Sequence, residues 1–490
     1  MLFNTFSFFL IFLPIALLGY FFLSHFSIRL SISFLWFASI VFYSYWNLSF
    51  LPVLLGSFAA NYTVGRWIAR EKEAKRDHRA KLALVLGLVF NLGLLSCFKY
   101  LDFLIANLVW LTGADVKPLG IPLPIGISFF TFTQIAYLVD CFSADVREYK
   151  VENYGLFVTY FPHLIAGPIF HHKDIMPQFD RAESHVFVPG RLVVGMMFFV
   201  IGLFKKVILA DGVARFVAPV FEISHGQLTS LEAWCGALAY TFQLYFDFSA
   251  YSDMAYGLSY MFGIILPINF NSPYKACSII DFWRRWHMTL SSFLRDYLYI
   301  PLGGNRLGRA RRYLNLLITM LLGGLWHGAS WTFVIWGGLH AIYLTINHAV
   351  RQLLGERKSI VVNLTGWFVT FLAVVVGWVF FRAPSFAVAI DILRAMAGGT
   401  YSHDSGGGLL RTNRIMAVDE CLIWLLVSAL IAFLAPNAYD MIGRGRRQAE
   451  ENRFSRSRGA VALGAMLVLS ILLLAINETW GVSKFLYFNF

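Results

Sequence analysis

The stretch LLGGLWHGASWTFVIWGGLHAIYL, residues 321–344, sets a histidine, His327, in the middle of an apolar run long enough to enter a bilayer. An ionisable side chain at that depth is costly and is in most cases retained for function. Basic clusters flank it on both sides, NRLGRARR at Asn305 to Arg312 and RQLLGERK at Arg351 to Lys358. The positive-inside rule puts both flanks on the cytoplasmic side, so the chain between them must go in and come back. From Tyr313 to Trp326 there are 14 residues, about 21 Å of helix against a hydrocarbon core of about 30 Å. The first arm therefore stops short, and His327 is expected inside the membrane thickness. Gly323, Gly324 and Gly328 permit a tight turn or a close helix approach there.

The rest of the chain agrees with a membrane protein. Of 490 residues, 58% are hydrophobic and 14% charged, with 48 Phe, 22 Tyr and 14 Trp. A water-soluble protein of this size needs more polar surface. The first residues, MLFNTFSFFLIFLP, carry no Lys or Arg before the apolar run and no small-residue cleavage site, which reads as a retained first span. Lys and Arg exceed Asp and Glu by 40 to 28. They gather between apolar runs, at Arg70 to Lys81 and Arg444 to Arg458 as well as beside His327, so anionic lipid headgroups are the expected partners and nucleic acid is not.

Apolar runs of spanning length occur near residues 5–23, 28–46, 48–68, 82–98, 191–209, 233–246, 361–381, 421–436 and 459–477. Others, around 120–170, 254–270 and 313–350, are interrupted by Pro, Gly or polar residues, giving roughly 11 to 13 passes in all. The fold class is thus an all-α polytopic membrane protein. IPLPIGISFFTFTQ and YFPHLIAGPIF are expected to line an interior cavity or re-enter, since broken backbone survives at membrane depth only where protein or water satisfies it. With Arg70 to Lys81 in the cytoplasm, three spans precede it, so both termini fall outside. No repeat or low-complexity linker marks a second domain, and residues 1–490 read as one. Arg382 to Arg414 reads as an external loop with a short interfacial helix.

Several side chains are candidates for chemistry. His327, between Trp326 and Trp331, suits acid and base work, because burial tends to keep an imidazole neutral and basic. Upstream, SIIDFWRRWHMTLSSFLRDYLYIPLGGNR starts like a helix at Ser278, with Asp281 and Arg285 spaced to pair. Arg284, His287 and Ser291 fall on one polar stripe of that helix. The stripe reads either as a basic membrane-surface helix or as a cavity wall presenting His287 and Arg284 to an anionic or acyl substrate. Asp247 and Asp253, six residues apart, do not share a face, and a helix break at Ser249 to Ser252 would let one of them cap.

The remaining candidates are weaker. The five cysteines stand singly and read as buried packing residues, with Cys277, ten residues before His287, the one that thioester chemistry could use. His163, His171 and His172 lack a carboxylate or Cys at ligand spacing, so no metal site is expected. His340 reads as a hydrogen-bonded helix residue. No Walker loop and no GxGxxG is present, which leaves an ATPase or a dinucleotide site unsupported.

Taken in order, YFDFSAYSDMAYG, FWRRWHMTLSSFLRDYLYIPLGGNR and LWHGASWTFVIWGGLHA closely resemble the membrane-bound O-acyltransferases, in particular the bacterial alginate O-acetyltransferase branch. PLPIGISFFTFTQIAYLVD, HLIAGPI, VFFRAPS and the terminal FLYFNF extend the resemblance over nearly the whole chain. The resemblance implies a ring of transmembrane and re-entrant helices around a thinned centre, where a cytoplasmic acyl-donor tunnel meets an outward-facing funnel. It maps the family's near-invariant histidine onto His327 and its second polar position onto His287.

It further implies O-acetylation of an exopolysaccharide such as alginate, with acetyl-CoA as donor and no bound cofactor. Arg284, Trp326 and Trp331 would help hold that donor, and Arg306, Arg309, Arg311 and Arg312 would attract its phosphates. A separate periplasmic acetyltransferase would finish the transfer, at the bacterial inner membrane. Two other readings stand beside this one: D-alanyl transfer to teichoic acid, and a secondary transporter with His327 and Asp247 in a proton-coupled site.

Overall fold

The structure is a computed structural model that describes residues 1–143, 150–222, 228–355, 359–398, 416–443 and 456–486. The described residues are helical and contain no strand. The helices run α1 (Ser7–Ser24), α2 (Ile28–Ser44), α3 (Leu48–Glu73), α4 (Asp77–Thr112), α5 (Ile127–Ser143), α6 (Val151–Thr159), α7 (His172–Phe179) and α8 (Pro189–Ala214). Then follow α9 (Ser230–Met261), α10 (Ile279–Trp283), α11 (Met288–Leu294), α12 (Arg309–His327), α13 (Trp331–Leu354) and α14 (Ile360–Arg382). The chain closes with α15 (Phe386–Met396), α16 (Val418–Leu434) and α17 (Arg456–Trp480).

Seven helices among the described residues are long and apolar enough to cross a bilayer: α1, α3, α4, α8, α13, α14 and the Val461–Trp480 part of α17. Two shorter apolar helices, α2 and α5, accompany them. Their outward side chains are apolar, with Leu18 and Ile360 each 72% exposed, as a surface facing lipid requires. The basic cluster from Arg444, the final residues of the terminal FLYFNF and the tip of the Arg382 to Arg414 loop lie outside the described residues. The near end of that loop forms α15, a short helix with Ala389, Ile392, Ala395 and Met396 buried.

By packing, the chain divides into two compact units, each built from several stretches of sequence. The first takes residues 1–203, 251–268 and 438–489, and the second residues 204–250 and 269–437 with residue 490. In the first unit, Asn61 on α3 and Asn91 on α4 exchange side-chain amide hydrogen bonds of 3.1 and 2.5 Å, the kind of polar pair that fastens helices in lipid. YFPHLIAGPIF is non-helical and buried throughout, so protein surrounds its broken backbone. His163 is part of that solution, its Nε2–H donating to the Phe157 carbonyl at 3.1 Å. The loop before α5 is pinned by Asp102, whose carboxylate accepts the Leu119 and Gly120 amides at 2.7 and 3.0 Å.

In the second unit α12 and α13 form the hairpin inferred around His327. The first arm starts at Arg309, four residues before the expected Tyr313, and its 19 residues reach about 28 Å. Its cationic first turn lengthens the arm, so its shortness came from counting apolar residues only. The arms close on a glycine pair: a Cβ on Gly324 would strike the Phe333 carbonyl, and one on Gly337 the Met320 carbonyl. Both obstacles are backbone, which cannot swing away. Gly324→Ala or Gly337→Ala should therefore lower the thermal midpoint of the detergent-solubilised protein, at a cost of about 1–3 kcal/mol. Gly338→Ala, whose Cβ meets Leu321 at an ordinary 3.5 Å, should leave it unchanged.

Candidate active site

The hairpin turn delivers His327. α12 ends at this residue because Gly328 turns extended, with φ −166°, and Ser330 then caps α13 by accepting the Thr332 amide at 3.3 Å. The imidazole is 3% exposed and walled by rings: Trp326 at 4.9 Å, Phe381 at 5.1 Å and Trp336 at 5.2 Å between centroids. Trp336 and Phe381 come from α13 and α14, so three helices define the histidine's surroundings.

His287 arrives by a different route. The segment after Ser278 does begin as a capped helix, with Ser278 Oγ accepting the Asp281 amide at 3.1 Å and Arg285 pairing with Asp281 at 2.9 Å. It does not continue through His287. The helix stops at Trp283, and His287 takes up left-handed backbone, φ 42° and ψ 53°, before α11 starts. Such a conformation costs a non-glycine residue about 1–2 kcal/mol and tends to be kept where a site needs it. The break overturns the single polar stripe, because Arg284 is exposed while His287 is fully buried.

What holds His287 is Asn269, which sequence reasoning passed over. Its Oδ1 lies 3.0 Å from His287 Nδ1, 2.9 Å from Thr289 Oγ1 and 3.4 Å from the Thr289 amide nitrogen. Its backbone carbonyl accepts the Met288 amide at 2.9 Å, and Asn271 N–H reaches the Arg285 carbonyl at 2.9 Å. Phe248 on α9 meets the imidazole edge-on at 4.7 Å. Trp326 is in ring contact with both candidate histidines, 6.3 Å from His287 and 4.9 Å from His327 by ring centroids.

The other candidates fall further away. Trp331 is 58% exposed at the start of α13, so of the three residues read as donor-holding only Trp326 lies against both histidines. Arg306, Arg309 and Arg311 are exposed, and Arg312 donates to His348 Nδ1 at 2.8 Å, tying the bases of α12 and α13 together. His340 is buried and accepts the Trp283 indole N–H at 3.2 Å, the helix hydrogen bond expected of it. Asp247 and Asp253 sit on one uninterrupted helix, α9, so the break at Ser249 to Ser252 does not occur. Asp247 instead pairs with Lys206 at 2.8 Å, both side chains buried.

Cys97 and Cys277 are exposed, against the expectation that all five cysteines are buried. The Cys277 sulfur lies within 3.9 Å of the Lys275 carbonyl. Cys277→Ser should retain turnover, and thiol alkylation of the folded protein should leave it active. Among the described residues no cluster of three His, Cys, Asp or Glu could hold a metal ion.

The two imidazoles are both buried and both in ring contact with Trp326, and a buried imidazole is a group able to take up and pass on a proton. A sequence model of the MBOAT, membrane-bound O-acyltransferase family, matches residues 9–383, which include every side chain of this site. The peptidoglycan O-acetyltransferase of Helicobacter pylori is 39% identical over all of this chain and 98% of its own length. The probable alginate O-acetylase AlgI of Pseudomonas aeruginosa is 43% identical over 81% of this chain and 75% of its own. More distant is the teichoic acid D-alanyltransferase of Streptococcus thermophilus, 28% identical over 46% of this chain and 57% of its own. The chain therefore belongs to the membrane-bound O-acyltransferase family and is a multi-pass O-acyltransferase.

Proposed function

We propose that this protein moves acetyl groups from a cytoplasmic acetyl thioester, acetyl-CoA, across the bacterial inner membrane for O-acetylation of a cell-envelope polysaccharide. The observation that carries the reading is the pair of buried histidines that both contact Trp326. In the transfer, the oxygen of an acceptor hydroxyl attacks the acetyl carbonyl carbon. The new C–O bond forms, the C–S bond breaks, and the hydroxyl proton passes to His327 and on to the departing thiolate sulfur. A base so placed is typically worth about 10²–10⁴ in rate.

The exposed Arg306, Arg309 and Arg311 lie at the foot of the hairpin, on the flank that the positive-inside rule assigns to the cytoplasm. There they would attract the donor's phosphates. The same rule puts the N-terminus and the end of α17 outside, where a periplasmic transferase would receive the acetyl group. Names and coverage of the relatives support acetyl over D-alanyl transfer, since the acetyl-transferring relatives match most or all of the chain and the D-alanyl-transferring one under half. They support a polysaccharide as final acceptor, with peptidoglycan and alginate as the two chemistries to compare.

The test is to reconstitute the protein in lipid nanodiscs with labelled acetyl-CoA and to offer peptidoglycan fragments or alginate, with and without a periplasmic transferase. Release of free CoA thiol with base-labile label on a glycan is the expected outcome. Absence of thiol release, or turnover of a D-alanyl carrier thioester instead, overturns the reading.

A further inference from the structure

We infer that Asn269 is a positioning residue that fixes His287 with its proton on Nδ1, so that His287 meets the acceptor substrate through an Nε2 lone pair. This rests on the acyl-transfer reading and assigns a role within it. The argument begins with the identity of the facing atom. The Thr289 backbone N–H can only donate, and it points at the same Asn269 side-chain atom as His287 Nδ1 does. That atom is therefore the carbonyl oxygen Oδ1 and not the amide nitrogen. An oxygen acceptor 3.0 Å from Nδ1 requires a proton on Nδ1. A neutral imidazole with Nδ1–H has no hydrogen on Nε2. In that form His287 gives no hydrogen bond to a developing oxyanion and instead accepts one from a hydroxyl of the acceptor.

The surroundings hold this arrangement in place. Asn269 Oδ1 also takes the Thr289 hydroxyl at 2.9 Å, and the Asn269 carbonyl takes the Met288 amide, so the asparagine is fixed at both ends. Phe248 from α9, Phe270 beside Asn269 and Trp326 from α12 pack on the imidazole. None of these three can ionise. The nearest charge along α9, Asp247, is ion-paired to Lys206, and His327, which also contacts Trp326, is titratable. The left-handed backbone at His287 is what lets the side chain turn back to Asn269 within one residue of α11.

Replacing the amide by a carboxylate keeps the acceptor for Thr289 and changes the charge facing His287. In Asn269→Asp the carboxylate stabilises the imidazolium, which raises the pH at which His287 becomes protonated and stops accepting. The acid limb of the pH–rate profile for thiol release should then move up by about one unit or more, with turnover recovered at alkaline pH. That recovery also reports that the variant is folded. Asn269→Leu, which removes the acceptor, should lower turnover at every pH.

An Asn269→Asp profile that superimposes on wild type overturns the assignment. So does full turnover in His287→Ala, even where His327→Ala is inactive; that pattern leaves the acyl-transfer reading standing. Full turnover in both histidine variants removes the reading itself.

Discussion

His327→Ala is expected to lower acetyl transfer by about 10²–10⁴, the usual worth of a positioned general base. The residue is the last of α12, 3% exposed, and its ring is bounded by Trp326, Trp336 and Phe381. The alanine removes volume at the end of a helix and leaves the α12–α13 glycine contact intact, so the protein should still elute as a folded species from detergent. Turnover should fall without loss of the protein. A variant that aggregates would report packing instead, and His327→Gln, which keeps much of the volume but cannot take up a proton near neutral pH, separates the two by being folded and inactive.

The second large effect is on stability. Lys206 is 1% exposed and reaches Asp211 and Asp247 at 2.8 Å each. It is a cation shared by two carboxylates, and Asp247 is as deeply buried as the lysine. Lys206→Ala leaves both acids without it, and breaking a buried pair from one side costs about 3–5 kcal/mol. Yield and thermal midpoint of the folded protein should drop steeply. Adding Asp247→Asn removes one of the stranded charges and should restore part of the loss. Because Phe248, next in sequence to Asp247, packs edge-on against His287, surviving Lys206→Ala protein should also turn over more slowly. Loss of stability without rescue by Asp247→Asn would mean that the lysine acts through packing alone.

These two sites mark how far the sequence could be read. The hairpin around His327 was legible because charge clusters and apolar length are local properties, and the glycines that close it stand in the same stretch. The Ser278 cap and the Asp281–Arg285 pair were legible for the same reason. The break at His287 was not: FWRRWHM holds no Gly or Pro, and the left-handed turn exists because Asn269, 18 residues earlier, supplies an acceptor. Lys206 and Asp247 are 41 residues apart, and no periodicity links them. The expected interruption at Ser249 to Ser252 failed because serine is tolerated within a buried helix when its hydroxyl bonds back, as Ser249 does to Phe246 at 3.5 Å. Family resemblance named both histidines, yet the Asn269 partner of His287 and the exposure of Trp331 and Arg284 are visible only in three dimensions.

The most direct test of this account measures free CoA thiol released from labelled acetyl-CoA by wild type, His287→Ala and His327→Ala in the same lipid nanodiscs, with folded protein matched by elution. The account predicts turnover in wild type and a loss of at least a hundredfold in His327→Ala, with a clear loss in His287→Ala. Full turnover in His327→Ala would contradict it.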